Sequence, residues 1–259
     1  MKHLFALLIA PLIICSSPAL GFSVQDGLSR EFTFISGQHH DGVLEILNDS
    51  NEDEVLRLFQ TDYLFYADGT NEYGKPGSVE RSNSHWIKFM PVDIMVPAHG
   101  TAFVNYTIDV PSSENLTGSY WSMLIIEPVL DDGPEISSGI GIRTVIRKAV
   151  QFVTTIEGTG TSNIEIEGSL NNIDDNIVLQ INISNSGDLW LRPDIWAEIY
   201  NSDGALVERI DNQKKRIYPS CSASQQFKLN YPSGKYSAMI IIDNGGDDVW
   251  GSQYQFELP

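Results

Sequence analysis

His39, His40 and Asp41 stand side by side in GQHHDG, and two imidazoles next to a carboxylate are groups that a metal ion accepts as ligands. No helical spacing or paired cysteine sets their geometry, so the stretch reads as a turn, as does His99 in PAHG. Oxygen donors crowd at NNIDDN (Asn171 to Asn176) and at DNGGDD (Asp243 to Asp248), the donor type that calcium prefers. Neither stretch fits a twelve-residue calcium loop, and both read as solvated turns. Cys221, in YPSCSAS, is a candidate nucleophile without a histidine near it in sequence, and reads as a small residue in a polar turn. Trp86, Trp121, Trp190, Trp196 and Trp250 are candidates for a sugar-stacking platform, although Trp121 lies in an apolar strand and is expected in a core. The 34 acidic residues guarantee some close carboxylate pairs, but none sits in a recognisable glycosidase setting. The G-x-S-x-G elbow, the H-E-x-x-H helix and the phosphate loop are all missing from the sequence. The expectation is a non-enzymatic protein that needs no cofactor.

Strands must position these residues. Apolar residues alternate at period two in EFTFI, VLEIL, VNYTIDV, IEIEG, VLQINI, QFKL and YQFEL, whereas the 3.6-residue period of a helix is almost absent. Gly and Asx residues punctuate these runs in ADGT, SNSGD, NSDGA and PSGK, where a chain reversal needs them. The chain is therefore expected to be all-β.

It also repeats itself. GSYWSMLIIE from Gly118 returns as GKYSAMIIID from Gly234, 116 positions later. VLEILNDSN from Val43 has a counterpart in VLQINISNSG from Val178, 135 positions on, and VPAHGTAFVNYTIDVP in YPSCSASQQFKLNYP, about 122 on. The order is conserved while the spacing shrinks, which places extra length in the first copy, around the polar stretch YADGTNEYGKPGSVERSNS. Two tandem immunoglobulin-like Greek-key β-sandwich domains are expected, residues 22–157 and 158–259, each with roughly seven strands. Between them the even positions from Ile140 to Ile156 are mostly apolar. One long strand fits, and so do two strands broken near Lys148 and Ala149.

At the start of the chain Lys2 precedes an apolar run, Leu4 to Ile14, and then SSPALG, with Ala19 and Gly21 at the spacing of a signal cleavage site. The run of about 11 residues is shorter than the roughly 20 that span a bilayer, so residues 1–21 are expected to be a signal peptide and the mature chain to lack a membrane segment. Lipid attachment at Cys15 is disfavoured by the bulky Ile14 before it. Cleavage removes Cys15 and leaves Cys221 without a disulfide partner. The net charge of −18 repels nucleic acid and anionic membranes alike.

The stretch HWIKFMPVDIMVPAHGTAFVNYTIDVPSSENLTGSYWSMLIIEP holds a tryptophan-bearing strand, an aliphatic residue before VPAHG, a strand ending DVP and an aromatic-rich strand ending EP. Together these resemble the first domain of periplasmic pilus-type (fimbrial) chaperones. The pattern is also similar to the Ig-like domains of WxL-associated bacterial cell-wall proteins. The chaperone resemblance implies an exported, periplasmic or extracellular protein whose partner is a subunit with an incomplete β-sandwich, completed by a lent strand. That strand would be IGIRTVIRK, with Ile140, Ile142 and Ile146 inserted into the partner. The same resemblance implies two cations that grip the subunit's terminal carboxylate in the interdomain cleft: Arg30, and one of Arg143, Arg147 or Lys148. The second resemblance implies adhesion, or binding of a cell-wall glycan or peptidoglycan. The plainer alternative makes the isoleucines core residues of a last strand and the cations a solvated linker.

Overall fold

A computed structural model of the chain describes residues 21–129, 145–173 and 176–259. The expected signal peptide, apart from Gly21, lies outside the described residues, and so do Ile140, Ile142 and Arg143.

Among the described residues there are four sheets. The first contains β1 (Phe22–Val24), β3 (His39–Asn48), β8 (Thr101–Asp109) and β6 (Ile87–Met90), in the spatial order β1-β3-β8-β6. The second runs β2 (Ser29–Phe34), β10 (Lys148–Ile156), β9 (Ser119–Pro128), β4 (Glu54–Phe65) and β5 (Asn71–Gly74), with β7 (Asp93–Val96) also paired to β4. These two sheets face each other. A third sheet orders β11 (Ile164–Ile173), β12 (Asn176–Asn185) and β15 (Ser222–Lys228). The fourth orders β14 (Leu206–Asn212), β13 (Asp194–Asn201), β16 (Gly234–Asp243) and β17 (Val249–Leu258). The chain is all-β, as expected, in the form of two sandwiches; among the described residues its helical content is one 3-10 turn, Ser84–Trp86.

Period-two patterning builds the cores, because successive side chains on a strand point to opposite faces. On β8, Ala102, Val104, Tyr106 and Ile108 are buried while Phe103 between them is exposed. Ala238, Ile240 and Ile242 do the same on β16. Each fully buried aliphatic side chain contributes about 1.5–3 kcal/mol relative to exposure. The second core also takes in Trp121 of β9 and Val153 of β10, so the apolar interior of the second sandwich continues onto the outer face of the first.

The repeated motifs occupy matching places. Asn48 ends β3 and Asn185 ends β12, both buried. Asn48 Nδ2 donates to the carbonyls of Glu52 and Val96, and Asn185 Nδ2 to those of Leu189 and Ile217. Each side-chain oxygen accepts a backbone N–H two residues on. Just before the neighbouring strand, His99 and Ser220 both adopt positive φ, at 52° and 62°. The two asparagines are 137 positions apart, not the 135 expected from aligning Val43 with Val178. Alternating strands look alike after a slip of two residues, and the buried amide is what sets the register.

Two expected turns are more ordered than their composition implied. His39, His40 and Asp41 form the start of β3, in register with Asp109, Ile108 and Thr107 of β8. Within the polar stretch after Tyr66, residues Asn71–Gly74 form β5. The buried Asp62 carboxylate holds the segment after β5 in place, accepting bonds from Ser78 N at 2.6 Å, Val79 N at 3.1 Å and Ser82 Oγ at 2.6 Å. Cys221 closes the expected turn, its N–H donating to the Tyr218 carbonyl at 3.0 Å, but its side chain belongs to the second core.

Candidate binding cleft between the sandwiches

On β10, Val150, Phe152 and Ile156 enter the first core, so the odd-numbered residues face outward, towards the second sandwich. Gln151 Oε1 there accepts Arg216 Nη1 at 2.7 Å and the Tyr218 hydroxyl at 2.7 Å. Arg216 Nη1 also donates to Ser29 Oγ at 2.8 Å, and Nη2 pairs with Glu31. The guanidinium lies 4.9 Å over the Trp190 ring. Beside it Trp121 and Tyr218 stack at 4.7 Å with their planes 10° apart. Burial pushes the Tyr218 hydroxyl well above its ordinary pKa, so it stays a proton donor.

A second contact closes the junction. Arg81 Nη2 pairs with Asp188, while Nη1 donates to the Thr117 carbonyl at 2.8 Å. The Asp188 carbonyl accepts Ser119 N at 2.8 Å, and Ser119 Oγ accepts Trp190 N at 3.1 Å. Gly118 has φ 69° and passes so near that a Cβ would lie 2.3 Å from the Asp188 oxygen.

β10 is paired unevenly. Its ladder with β9 covers Lys148–Thr155, but β2 runs beside it only from Gln151 to Ile156. Among the described residues, no strand pairs with the other edge of Lys148–Val150. β2 stops short because the chain crosses between sheets at Asp26 (φ 59°) and Gly27 (φ 79°). Arg30 holds that crossing: its guanidinium donates to the carbonyls of Gln25, Asp26, Gly27 and Ser29 at 2.7–3.1 Å.

Of the partner-binding residues that the sequence pointed to, Arg30, Ile146, Arg147 and Lys148 are among the described residues, and each has its own setting. Arg30 is spent on backbone carbonyls. Arg147 lies 2.5 Å from Glu127 of β9 in an ion pair just before the β10–β9 ladder, and Lys148 opens β10. Ile146 precedes the strand with 49% of its surface exposed, beside Val145 at 37%. The ladder begins at Lys148, so the single long strand from Ile140 is not formed over residues 145–147. Arg216 and Arg81, the cations that do pair across the junction between the sandwiches, were not among the residues singled out by motif or resemblance. The run Lys214-Lys215-Arg216 in so acidic a chain was the available signal for Arg216.

The other candidates separate too. Trp86 and Trp121 are buried, Trp190 lies under Arg216, and Trp196 lies 4.3 Å under Arg209, so no joint stacking platform is assembled from these rings. His39 bonds to Asp109 at 2.6 Å, which with Asp41 raises its pKa above the ordinary value. Among the described residues, no three His, Cys, Asp or Glu side chains gather as a metal ion would require.

No family model and no curated protein matches the sequence. Solved structures do match. The class 5 fimbriae chaperone CfaA aligns with 92% of this chain and all of its own, at 14% identity and a TM-score of 0.48. The E. coli chaperone DraB aligns over 93% of this chain and 96% of its own, at 11% identity and 0.43. A chain from the Salmonella enterica complex of the SafA pilin with the SafB chaperone aligns over 94% and 99%, at 11% identity and 0.43. Over about nine tenths of its length the chain is thus structurally similar to fimbrial chaperones, at low sequence identity.

Proposed function

We propose that this protein is an exported, periplasmic, non-enzymatic assembly chaperone that lends a β-strand to a surface-fibre subunit lacking one. The observation that supports this reading most directly is the half-paired edge of β10. Among the described residues no strand pairs with this edge of Lys148–Val150, which makes it a template for another strand, and an incoming strand would continue the lane that β2 leaves at Ser29. The sequence on that side of the strand, IGIRTVI, alternates Ile140, Ile142 and Ile146 as a groove-filling strand requires. Main-chain bonds would supply affinity and the alternate isoleucines the fit. Arg143, Arg147 and Lys148 flank the seat of the subunit's terminal carboxylate. Arg30 positions the edge by clamping the crossing that ends β2. The working units are residues 22–157 and 158–259, with the cleft between them as the cradle.

Co-purification tests this. The parent protein should bring down a subunit missing one strand, and Ile142→Asp or Ile146→Asp should release it, because a carboxylate buried in an apolar groove costs several kcal/mol. Undiminished capture by both variants would remove strand donation from consideration.

A further inference from the structure

The turn DNGGDD joins β16 to β17 and contains the one Asn-Gly pair of the sequence, Asn244–Gly245. Two main-chain bonds close the turn, from Asn244 N to the Asp248 carbonyl at 2.9 Å and from Asp248 N to the Gly245 carbonyl at 3.2 Å. Neither uses the N–H of Gly245. That N–H donates instead to the Asp243 carboxylate, at 2.8 Å from Oδ1. The Asn244 side chain is anchored as well, because its Oδ1 accepts the backbone N–H of Arg192 at 2.9 Å, from the segment before β13.

These contacts supply what an asparagine needs to react with its own main chain. The attacking atom is the nitrogen of the next residue, and a side chain there would shield it. Gly245 has none, and a Cβ built on it would meet nothing within 4 Å. An amide nitrogen attacks only as it loses its proton, and the Asp243 carboxylate is already bonded to that proton. Negative charge then develops on Asn244 Oδ1, where the Arg192 N–H stands as an oxyanion donor. Base, nucleophile, electrophile and oxyanion donor thus meet in one exposed turn.

We propose that this turn modifies itself: Gly245 N attacks Asn244 Cγ, with Asp243 as the base and the Arg192 N–H holding the oxyanion. The N–Cγ bond forms and the Cγ–Nδ2 bond breaks. Nδ2 leaves as ammonia, carrying the proton that Asp243 took from Gly245. Water then opens the cyclic imide at either carbonyl, leaving aspartate or isoaspartate at position 244. Nothing is oxidised or reduced. Either product places a new carboxylate at the anchor of Arg192, and isoaspartate also lengthens the main chain between β16 and β17. Arg192 is two residues from Trp190, the ring under Arg216, so the change reaches the segment that docks at the junction. The reaction uses none of residues 140–148 and stands apart from strand donation.

Incubation of the full chain at one neutral pH, folded or in guanidinium chloride, tests the proposal, with ammonia release and isoaspartate at 244 read by peptide mapping. The denatured chain keeps the Asn-Gly pair but loses the base and the oxyanion donor, so the folded chain should convert faster. Asp243→Asn keeps an acceptor for the Gly245 N–H but is a far weaker base. It should slow the folded chain about tenfold or more and leave the denatured rate unchanged. Asn244→Gln should stop ammonia release from this turn. A folded chain that converts no faster than the denatured one would overturn the proposal without recourse to any variant, and so would parental conversion in folded Asp243→Asn.

Discussion

The two sandwiches share their anchors and differ at their edges. Each ends an inner strand on a buried asparagine, starts the neighbouring strand after a residue of positive φ, and carries the G-x-Y motif on a central strand. In the second sandwich β17 pairs with β16 along its whole length, and its free edge carries Gln253, Gln255 and Glu257. The other edge strand of that sheet, β14, carries Glu208, Arg209 and Asp211. Charged and polar edge strands discourage further pairing. In the first sandwich β10 is half covered, and the flank leading into it exposes Val145 and Ile146. Copies of one framework thus present one defended sheet and one sheet with room for a strand.

The sharpest way to break the comparison is the glycine that opens each copy of the motif. Gly118 has a left-handed backbone and the second sandwich's Asp188 carbonyl against it, whereas a Cβ on Gly234 would meet only the Tyr236 ring, at 3.6 Å. Gly234→Ala is expected to cost backbone strain alone, about 1–3 kcal/mol. Gly118→Ala adds a collision with main chain that cannot swing aside, and should cost about 4 kcal/mol or more. Urea unfolding of both variants measures the difference; equal losses would mean that the junction at Asp188 yields more readily than its geometry implies.

The paired asparagines should behave alike. Asn48→Ala and Asn185→Ala each remove three hydrogen bonds from buried groups, and each should cost about 2–4 kcal/mol. Calorimetric melting would show it, and a neutral result at either one would end the argument that both copies depend on the same anchor.

The smallest effect concerns a residue present in only one copy. Cys221 occupies the place that Gly100 holds in the first sandwich, since each follows the residue of positive φ. Burial pushes its thiol from 9.0 up to about 11. The folded state therefore holds this proton more tightly than the unfolded state. The associated stability is complete below about pH 9 and is lost as pH rises towards 11. Iodoacetamide at pH 8 should leave the folded protein unlabelled and modify it in urea; fast labelling of the folded chain would mean the thiol is reachable.

Much of the fold was legible because alternation is a local property: β8 and β16 bury the side chains that their sequences mark. The repeat was legible for the same reason, apart from the two-residue slip that alternation cannot detect. The candidate cleft was less so. Arg30 was marked by the chaperone resemblance; its neighbours offer four carbonyls within five residues, and a guanidinium takes the acceptors at hand. The stretch GQHHDG looked like a turn because polarity resembles looping; the pairing with β8 that makes it a strand comes from residues about 70 positions away.

Composition and period by themselves determined an acidic, all-β, duplicated chain with an apolar alternating segment between its halves. Only the tertiary structure decided that β2 stops at Ser29 and leaves part of β10 open, and that Arg216 joins the sandwiches. The partners of Arg216 lie 187, 185 and 65 residues away at Ser29, Glu31 and Gln151. No short-range pattern can encode contacts made across the junction of two sandwiches.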